Sequence, residues 1–252
     1  MKITFLGTGT SIGVPEMRCG CAVCTSQNPK DTRLRTSVLI EDDHTHILID
    51  CGPDFRAQML HHKVDTIDAV LVTHEHYDHV GGIDDLRPYS FVKTLPVYAE
   101  KFVIEHLLQR IPYCFGSNKY PGTPKLELME IEAGKSFCVG SLDILPIRVM
   151  HGKLPILGYR IGKMAFITDM KSIDDTQVAL LKDLDLLIVN ALHTKEHPTH
   201  QKLMQAINFA ERVGAKETWF VHMSHRVGLH DFVDARLPKH IHLAYDGCVL
   251  NI

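Results

Sequence analysis

The sequence of 252 residues contains no uninterrupted run of 18 apolar residues and no long run of basic residues. A transmembrane helix needs about 20 consecutive apolar residues, so we expect no membrane span. The first apolar run, in MKITFLGTGT, breaks at Gly7, so we expect no signal peptide and a cytoplasmic location. The 27 Lys and Arg residues against 30 Asp and Glu give a net charge of −3, which disfavours a long nucleic acid as partner.

The chain also lacks Gly/Ser-rich linkers, internal repeats and low-complexity tracts, so we expect a single domain over residues 1–252. No Gly-Lys-Ser/Thr sequence accompanies the glycine-rich segment 7–13, which argues against a nucleotide-cofactor loop. A tight turn that brings the backbone close to a site is the better interpretation of these glycines. The composition therefore favours one globular domain, with 45% hydrophobic residues for its core.

Disulfides are not expected, although the chain has seven cysteines, because that number is odd and three of them crowd into RCGCAVC. In a reducing compartment, the cluster of Cys19, Cys21 and Cys24 is better interpreted as thiolates around one soft cation. Histidine, by contrast, is abundant: the chain has 17, about three times the usual share. Histidine is the commonest metal ligand, so its distribution is informative.

Short runs rich in Ile, Val and Leu predict strands at residues 3–7, 37–41, 46–50, 68–73, 95–99, 142–147, 164–169, 184–190 and 217–222. Helical patterns cover 54–63, 101–110, 176–184 and 200–213, with Thr199 as the expected N-cap of the last. This order favours an α/β domain with helices outside packed sheets. The irregular stretch 111–124 is typical of a loop over a site.

Several predicted strands end at, or directly before, a side chain that can bind a metal or take part in a reaction. Asp50, His74, Asp169 and His222 each end a strand-like run or follow one directly. Ligand sites in α/β folds favour strand ends, so these four residues suggest one common site.

The segment His74-Glu75-His76-Tyr77-Asp78-His79 is the strongest chemical signal in the sequence. Residues i and i+2 of an extended chain project to the same side, so His74 and His76 can bind one cation. The following turn lets Asp78 and His79 face a second cation. The alternative is that Asp78 caps a helix and the histidines form a polar surface run. Four donor side chains in six residues favour the metal site.

This His-x-His-x-Asp-His pattern resembles the metallo-β-lactamase superfamily, and Asp50, His151, Asp169 and His222 match its other marks in family order. The resemblance implies a four-layer αββα sandwich that binds two divalent ions, Mn²⁺ or Zn²⁺. A carboxylate at Asp169 suits either metal. The implied ligands are His74, His76 and His151 for one ion, Asp78, His79 and His222 for the other, and Asp169 between them. Taken alone, Asp50 could be a turn residue, His151 a loop histidine and Asp169 a helix cap.

The opening GTGTSIGVP, the cysteine cluster and the His222-x-x-His225 pair resemble the branch that holds tRNase Z and the phosphodiesterases of the carbon–phosphorus lyase pathway. That resemblance implies a structural Zn²⁺ on Cys19, Cys21, Cys24 and His225, with a zinc-binding insertion near residues 17–30. A distant histidine that completes a tetrahedron is chemically sensible. Cys51 or a water in place of His225 is the alternative.

His200, in EHPTHQKL, matches a histidine that in this branch stands by the scissile phosphate, so the resemblance implies that it is catalytic together with Asp78. An imidazole there could donate a proton to the leaving oxygen or stabilise charge on phosphorus. A residue of the first helical turn without chemical duty is the alternative, and His193 and His197 are nearby candidates for the same role.

The leading hypothesis is a metal-dependent phosphodiesterase that cleaves a small, even cyclic, phosphodiester with a hydroxide held between two metals. A thioester or lactone hydrolase of the same fold and a non-catalytic metal-binding scaffold are the alternatives. A tRNA-processing nuclease is disfavoured, because the 17 residues between His151 and Asp169 leave no room for that family's tRNA-binding arm. The resemblance also implies a homodimer. Arg33 and Arg35 are either solvated charges or phosphate contacts, and we expect solvated charges.

Overall fold

The computed structural model of the protein describes residues 1–91, 93–115 and 120–252. Within these residues, one sheet contains the seven strands β1 (Lys2–Gly7), β2 (Ser37–Asp42), β3 (Thr45–Ile49), β4 (Ala69–Leu71), β5 (Leu95–Ala99), β6 (Leu126–Glu130) and β14 (Val249–Asn251). Their order is β14-β1-β2-β3-β4-β5-β6. The strands from β3 to β6 pair in parallel, and the others pair antiparallel.

A second sheet contains β7 (Phe137–Val139), β8 (Leu142–His151), β9 (Leu154–Ile161), β10 (Met164–Ile167), β11 (Leu186–Asn190), β12 (Glu217–Val221) and β13 (Ile241–Leu243). Their order is β13-β12-β11-β10-β9-β8-β7, and the strands from β10 to β13 pair in parallel. All nine predicted strands are confirmed, and the structure adds β6, β7, β9, β13 and β14.

The helices in the described residues are α1 (Phe55–His62), α2 (Tyr77–Val80), α3 (Arg87–Ser90), α4 (Lys101–Arg110), α5 (Asp175–Val178), α6 (Leu203–Val213) and α7 (His230–Asp234). The helix predicted at 101–110 is confirmed at both bounds, and α1 is one residue shorter at each end than predicted. The prediction of Thr199 as N-cap is wrong, because α6 begins three residues after the predicted start and Lys202 stands at its N-cap. The helix predicted at 176–184 breaks into α5 and a 3₁₀ turn.

The two sheets pack face to face, and helices cover their outer faces. Phe5 and Ile49 of the first sheet share a buried cluster with Tyr159 and Phe166 of the second. Side chains of α1 and α4 pack on the outer face of the first sheet, and α6 packs on that of the second. Full burial of such a side chain contributes about 1.5–3 kcal/mol. The predicted four-layer αββα sandwich is therefore confirmed.

Part of the irregular stretch predicted at 111–124 is described: a 3₁₀ turn, Pro112–Cys114, follows α4. Residues 116–119 of the stretch lie outside the described residues. None of the helices in the described ranges is long and apolar enough to cross a bilayer.

The expectation that Arg33 is a solvated charge is wrong, because only 3% of the residue is exposed. Its guanidinium donates to the hydroxyl of Thr8 and the carbonyl of Ala244, at 2.8 and 2.5 Å. A buried guanidinium needs such acceptors, and the sequence pattern gives no sign of them. Arg35 is only partly exposed, and its Nη1 lies 2.9 Å from Oδ1 of Asp54.

Candidate metal centre

The histidine-rich motif occupies the segment that runs from the end of β4 into α2. His74 and His79 are buried, whereas His76 stands at the N-cap of α2. Nε2 of His74 lies 3.0 Å from Nδ1 of His76. The ring of His151, at the end of β8, lies 5.2 Å from the ring of His76 and 5.7 Å from that of His74. The fold thus brings these three histidines together.

A second group of donor atoms lies beside the first. Nε2 of His79 lies 3.1 Å from Oδ2 of Asp78 and 3.2 Å from Oδ2 of Asp169, and Nε2 of His222 lies 3.2 Å from Oδ1 of Asp169. Donors bound at 2.0–2.3 Å around a tetrahedral ion stand about 3.3–3.8 Å apart. The spacing of the four side chains is therefore close to that of a ligand set around one divalent cation.

Hydrogen bonds fix how the imidazoles face the centre. Oδ2 of Asp50 lies 2.7 Å from Nδ1 of His79 and also accepts the hydroxyl proton of Thr73 at 2.9 Å. The Thr73 oxygen therefore accepts from Nδ1 of His74, 3.0 Å away, which leaves Nε2 of His74 unprotonated. Nδ1 of His151 lies 2.8 Å from the carbonyl oxygen of Asp169. A carbonyl oxygen can only accept, so Nδ1 of His151 carries the proton and its Nε2, like that of His74, is unprotonated. Such partners orient histidine ligands in metal sites.

The electrostatic field of the centre favours a cation. Burial opposes a charge on His79, yet Asp78, Asp169 and Asp50 outweigh burial and hold the pKa of His79 well above its usual range. Burial likewise opposes the charge of Asp169, but His222 and His79 lower the pKa of that carboxyl. His79 likewise lowers the pKa of Asp78 against the effect of burial, so Asp78 and Asp169 both retain their charge and face nitrogen atoms. A divalent cation between them would satisfy the same field.

Three residues of the centre have left-handed backbone. The φ angles are 61° at Asp50, 55° at Asp169 and 55° at His222. This conformation costs non-glycine residues about 1–2 kcal/mol each. Each of the three directly follows a strand or lies one residue beyond it, so the chain turns sharply there and directs the Asp169 and His222 side chains to the cleft and that of Asp50 to His79.

His200 lies in the loop before α6, so its interpretation as a residue of the first helical turn is wrong. Its ring lies 4.6 Å from that of His151 and 5.0 Å from that of His222. Nδ1 is 3.6 Å from Oδ1 of Asp169 and has no hydrogen-bond partner. Burial lowers the pKa of His200 to about 3. The donor atoms of His151, Asp169 and His200 form a second compact group, so Asp169 belongs to both groups.

The cysteine cluster forms a separate centre with His225. Nδ1 of His225 lies 3.2, 3.4 and 3.2 Å from the sulfur atoms of Cys19, Cys21 and Cys24. A backbone hydrogen bond from Cys24 lowers the pKa of the Cys21 thiol to about 6, whereas burial raises the pKa of the Cys24 thiol to about 11. Cys51 is buried below the other centre, where its N–H donates to the carbonyl of His79, and it is not part of this cluster.

Sequence reasoning missed the threonines that support the centre. Thr73 bridges Asp50 and His74, and the Thr168 hydroxyl donates to Oδ2 of Asp169 at 2.7 Å. The only available signal was their position, since each directly precedes a predicted ligand.

Comparison with known proteins gives the class of this protein. A beta-lactamase superfamily domain model matches residues 45–223, so the chain belongs to the beta-lactamase superfamily. Within it, the chain is similar to a diphosphatase of the PhnP family, whose crystal structure superposes with a TM-score of 0.93 at 39% identity over 99% of this chain and 96% of that one. Zn²⁺-bound PqqB from Methylobacterium extorquens shares the fold, with a TM-score of 0.83 at 18% identity over the full length of both chains.

A protein of Porphyromonas gingivalis (strain ATCC BAA-308 / W83) named octanoyltransferase is 50% identical over 249 residues. The match covers 98% of this chain but 51% of that protein, so the chain spans about half the length of this relative. The name octanoyltransferase describes that whole protein, and only about half of it aligns with this chain. Fold and family together place this chain in the superfamily, and its buried His/Asp cluster has the donor atoms to hold a divalent metal ion.

Proposed function

We propose that the chain is a binuclear phosphodiesterase that cleaves a small phosphodiester, cyclic esters included. The observation that carries this proposal is the position of Asp169. Its carboxylate belongs to two compact donor groups in the described part of the chain, one with His79 and the other with His151. A carboxylate shared in this way suits two neighbouring cations, the arrangement that catalyses in-line displacement at phosphorus.

The proposed ligand sets divide the centre between the two ions. The first set is His74, His76 and His151, the second is Asp78, His79 and His222, and Asp169 joins them. Bound Mn²⁺ or Zn²⁺ ions would lower the pKa of water towards neutrality and neutralise charge on phosphoryl oxygens. Asp50 holds His79 by its Nδ1, and the carbonyl of Asp169 holds His151, so the ligands are oriented before any substrate arrives.

His200 is the proposed proton donor to the leaving oxygen. Its ring stands between His151 and His222, and its buried Nδ1 faces Asp169. In the described structure its Nε2 has no hydrogen-bond partner and is not among the atoms sealed from solvent. That atom can face an oxygen of a substrate held at the two ions, and the negative charge of a bound phosphodiester would oppose the lowering of the His200 pKa by burial, so that the ring would bind the proton it then passes on. The Cys19–His225 cluster would bind a structural Zn²⁺ and take no part in the reaction.

The relatives favour phosphorus as the reaction centre but leave an acyl substrate as the second candidate. The PhnP-family relative is described as a diphosphatase and aligns over nearly the whole of both chains. The relative named octanoyltransferase, by contrast, aligns over about half of its own length. A small phosphodiester is therefore the proposed substrate, and an octanoyl thioester is the alternative. A homodimer and a cytoplasmic location stay predictions.

A substrate panel separates these two candidates. Protein reconstituted with Mn²⁺ or Zn²⁺ would be assayed with bis-p-nitrophenyl phosphate, a 2′,3′-cyclic nucleotide, an octanoyl thioester and a lactone. We expect kcat/KM for the phosphodiesters to exceed that for the acyl substrates at least about 100-fold. The Asp78→Asn variant, assayed in parallel, controls for contaminating phosphodiesterases. Faster hydrolysis of the thioester or lactone would contradict the proposal and favour the acyl candidate.

The role of His200 is tested by the leaving group. A nitrophenolate departs without a proton, whereas an alkoxide gains about 10²–10⁴-fold from a general acid. We expect His200→Ala to slow an alkyl phosphodiester far more than a nitrophenyl one at equal metal content. His240→Ala, at a partly exposed histidine paired with Glu211, is the matched control. An equal loss on both esters would assign His200 to substrate positioning instead.

A further inference from the structure

A buried asparagine, Asn190, ends β11 next to the turn that carries Asp169, and the proposed reaction gives it no role. β10 and β11 pair in parallel as far as Ile167 and Val189, and Asn190 is the next residue of β11. The chain that leaves β10 turns at Asp169, whose φ is 55°. Asn190 is fully buried, at 0% relative exposure, and a buried amide side chain needs partners for its donor and acceptor atoms.

The carboxamide of Asn190 pairs with the backbone of Met170, the residue that follows Asp169. Oδ1 of Asn190 accepts from the Met170 N–H at 2.8 Å, and Nδ2 donates to the Met170 carbonyl at 3.1 Å. A backbone N–H can only donate and a carbonyl oxygen can only accept, so these partners fix which amide atom is the oxygen. The side chain takes the place of a neighbouring strand for Met170. The turn at Asp169 is therefore held from its C-terminal side.

The backbone of Met170 also contacts the loop that carries His200. The Met170 carbonyl accepts from the Gln201 N–H at 3.0 Å, and Gln201 directly follows His200. On the other side of Met170, the carbonyl of Asp169 lies 2.8 Å from Nδ1 of His151. The position of the Met170 backbone therefore influences three residues of the proposed centre at once, namely Asp169, His151 and His200.

We propose that Asn190 is a positioning residue that holds the carboxylate of Asp169 between the two metal ions. This inference rests on the proposed function, which makes Asp169 the ligand that both ions share. Both hydrogen bonds of the Asn190 side chain go to the backbone of Met170, so Asn190 acts through that backbone. The left-handed turn at Asp169 is unfavourable for a residue with a side chain. Without the carboxamide, the turn would relax and the carboxylate would favour one ion over the other.

Binding of Mn²⁺ tests this role without relying on turnover. Two Mn²⁺ ions that share a carboxylate ligand couple magnetically, and electron paramagnetic resonance distinguishes such a pair from isolated ions. We expect Asn190→Leu, which keeps the buried volume but neither hydrogen bond, to weaken binding of the second Mn²⁺ about 10–100-fold and to reduce the coupled signal. The value of kcat should fall by a similar factor. Asn190→Asp, whose buried carboxyl is protonated and then offers the same donor and acceptor, should lie between the leucine variant and the wild type.

Gln58→Leu is the matched control, because it also removes a buried amide that donates to a backbone carbonyl, that of Arg35, in α1 on the first sheet. The control should lower the melting temperature and leave the Mn²⁺ pair unchanged. Wild-type Mn²⁺ affinity and coupling in Asn190→Leu would overturn the proposal and leave Asn190 a purely structural role. If the leucine variant does not fold, Asn190→Ser takes its place, with the same expected loss and the same contradicting result.

Failure of the proposed function would give a different result. A coupled Mn²⁺ pair without turnover of any phosphodiester would refute the phosphodiesterase alone, because the resonance measurement does not depend on activity. A wild-type chain that binds a single Mn²⁺ at the His/Asp centre would refute both the binuclear function and the role of Asn190.

Discussion

The two proposed metal centres of this chain are built in opposite ways. The His/Asp centre is buried, with His79 at 0% and His222 at 1% relative exposure, and its residues come from strand ends of both sheets. In the cysteine centre, Cys21 is exposed, and the three cysteines lie in one irregular segment before β2. Asp50 and Thr73 support the first centre from behind. The fold thus organises the first centre, whereas a bound ion would organise the second.

The two centres are nevertheless joined by a short link. His222 and His225 are three residues apart, and Met223 between them exchanges backbone hydrogen bonds with Thr8 and Thr10, both at 3.0 Å. These two hydrogen bonds hold Met223 against the loop that follows β1. Loss of one centre should therefore leave the other largely intact.

Chelation should distinguish the centres most strongly. We predict three metal ions per fully loaded chain, two at the His/Asp centre and one at the cysteines. Thiolate ligands retain Zn²⁺, so a mild chelator should abolish turnover while about one zinc per chain remains. Elemental analysis alongside activity would follow the loss, and re-addition of Mn²⁺ or Zn²⁺ is the control. At most two metals per chain in protein never exposed to chelator would refute the cysteine site.

Substitution of the linked histidines should give separable effects. His222→Ala should abolish turnover with little change in melting temperature, since the fold already holds that centre. His225→Ala should lower the melting temperature by about 5–10 °C and release zinc, because binding there is coupled to folding. Melting curves, zinc content and kcat would be compared for both variants. Equal effects of the two substitutions on all three measurements would show that the centres are not distinct.

Asp78→Asn should reduce kcat at least about 100-fold, because the amide retains the size of the side chain but loses the charge that faces His79 and His222. Substitution of a residue that supports a metal ligand typically lowers activity or metal affinity 10–100-fold, and substitution of a direct ligand should lower it further. The melting temperature should change little. As a helix cap, Asn would serve almost as well as Asp. Near-wild-type turnover would therefore favour that structural role.

Asp50→Asn should have a smaller effect than chelation or the substitutions above, namely a loss of about 10–100-fold in kcat or metal affinity. The residue accepts from Nδ1 of His79 and from Thr73, and does not face the cleft itself. Asp143→Asn, at an exposed position of β8, is the matched control. A variant as inactive as Asp78→Asn would indicate that Asp50 contacts the metal or the substrate directly.

The five strands that the sequence did not predict share a physical cause. Pairing with neighbouring strands stabilises them more than the β-propensity of their own residues does. β9 contains Pro155 and Gly158, both unfavourable in a strand, yet it pairs with β8 along its whole length. A Cβ at Gly158 would lie 2.9 Å from the carbonyl oxygen of Phe166, so close packing requires glycine there. β13 and β14 have three residues each, too few to show a period. Such strands follow from tertiary pairing.

By itself, the sequence determined the features that need only near neighbours: nine strands with β-branched and apolar runs, and a six-residue segment with four metal-binding side chains. That Asp50, His151, Asp169 and His222 meet this segment was predicted from strand ends and from the family resemblance, but only the tertiary structure produces the meeting, since each residue lies many positions away from the segment. It also decided that Arg33 is buried and that the ring of His200 lies beside those of His151 and His222. The reason is that burial and hydrogen-bond partners are supplied by chain segments distant in sequence, which no local pattern records.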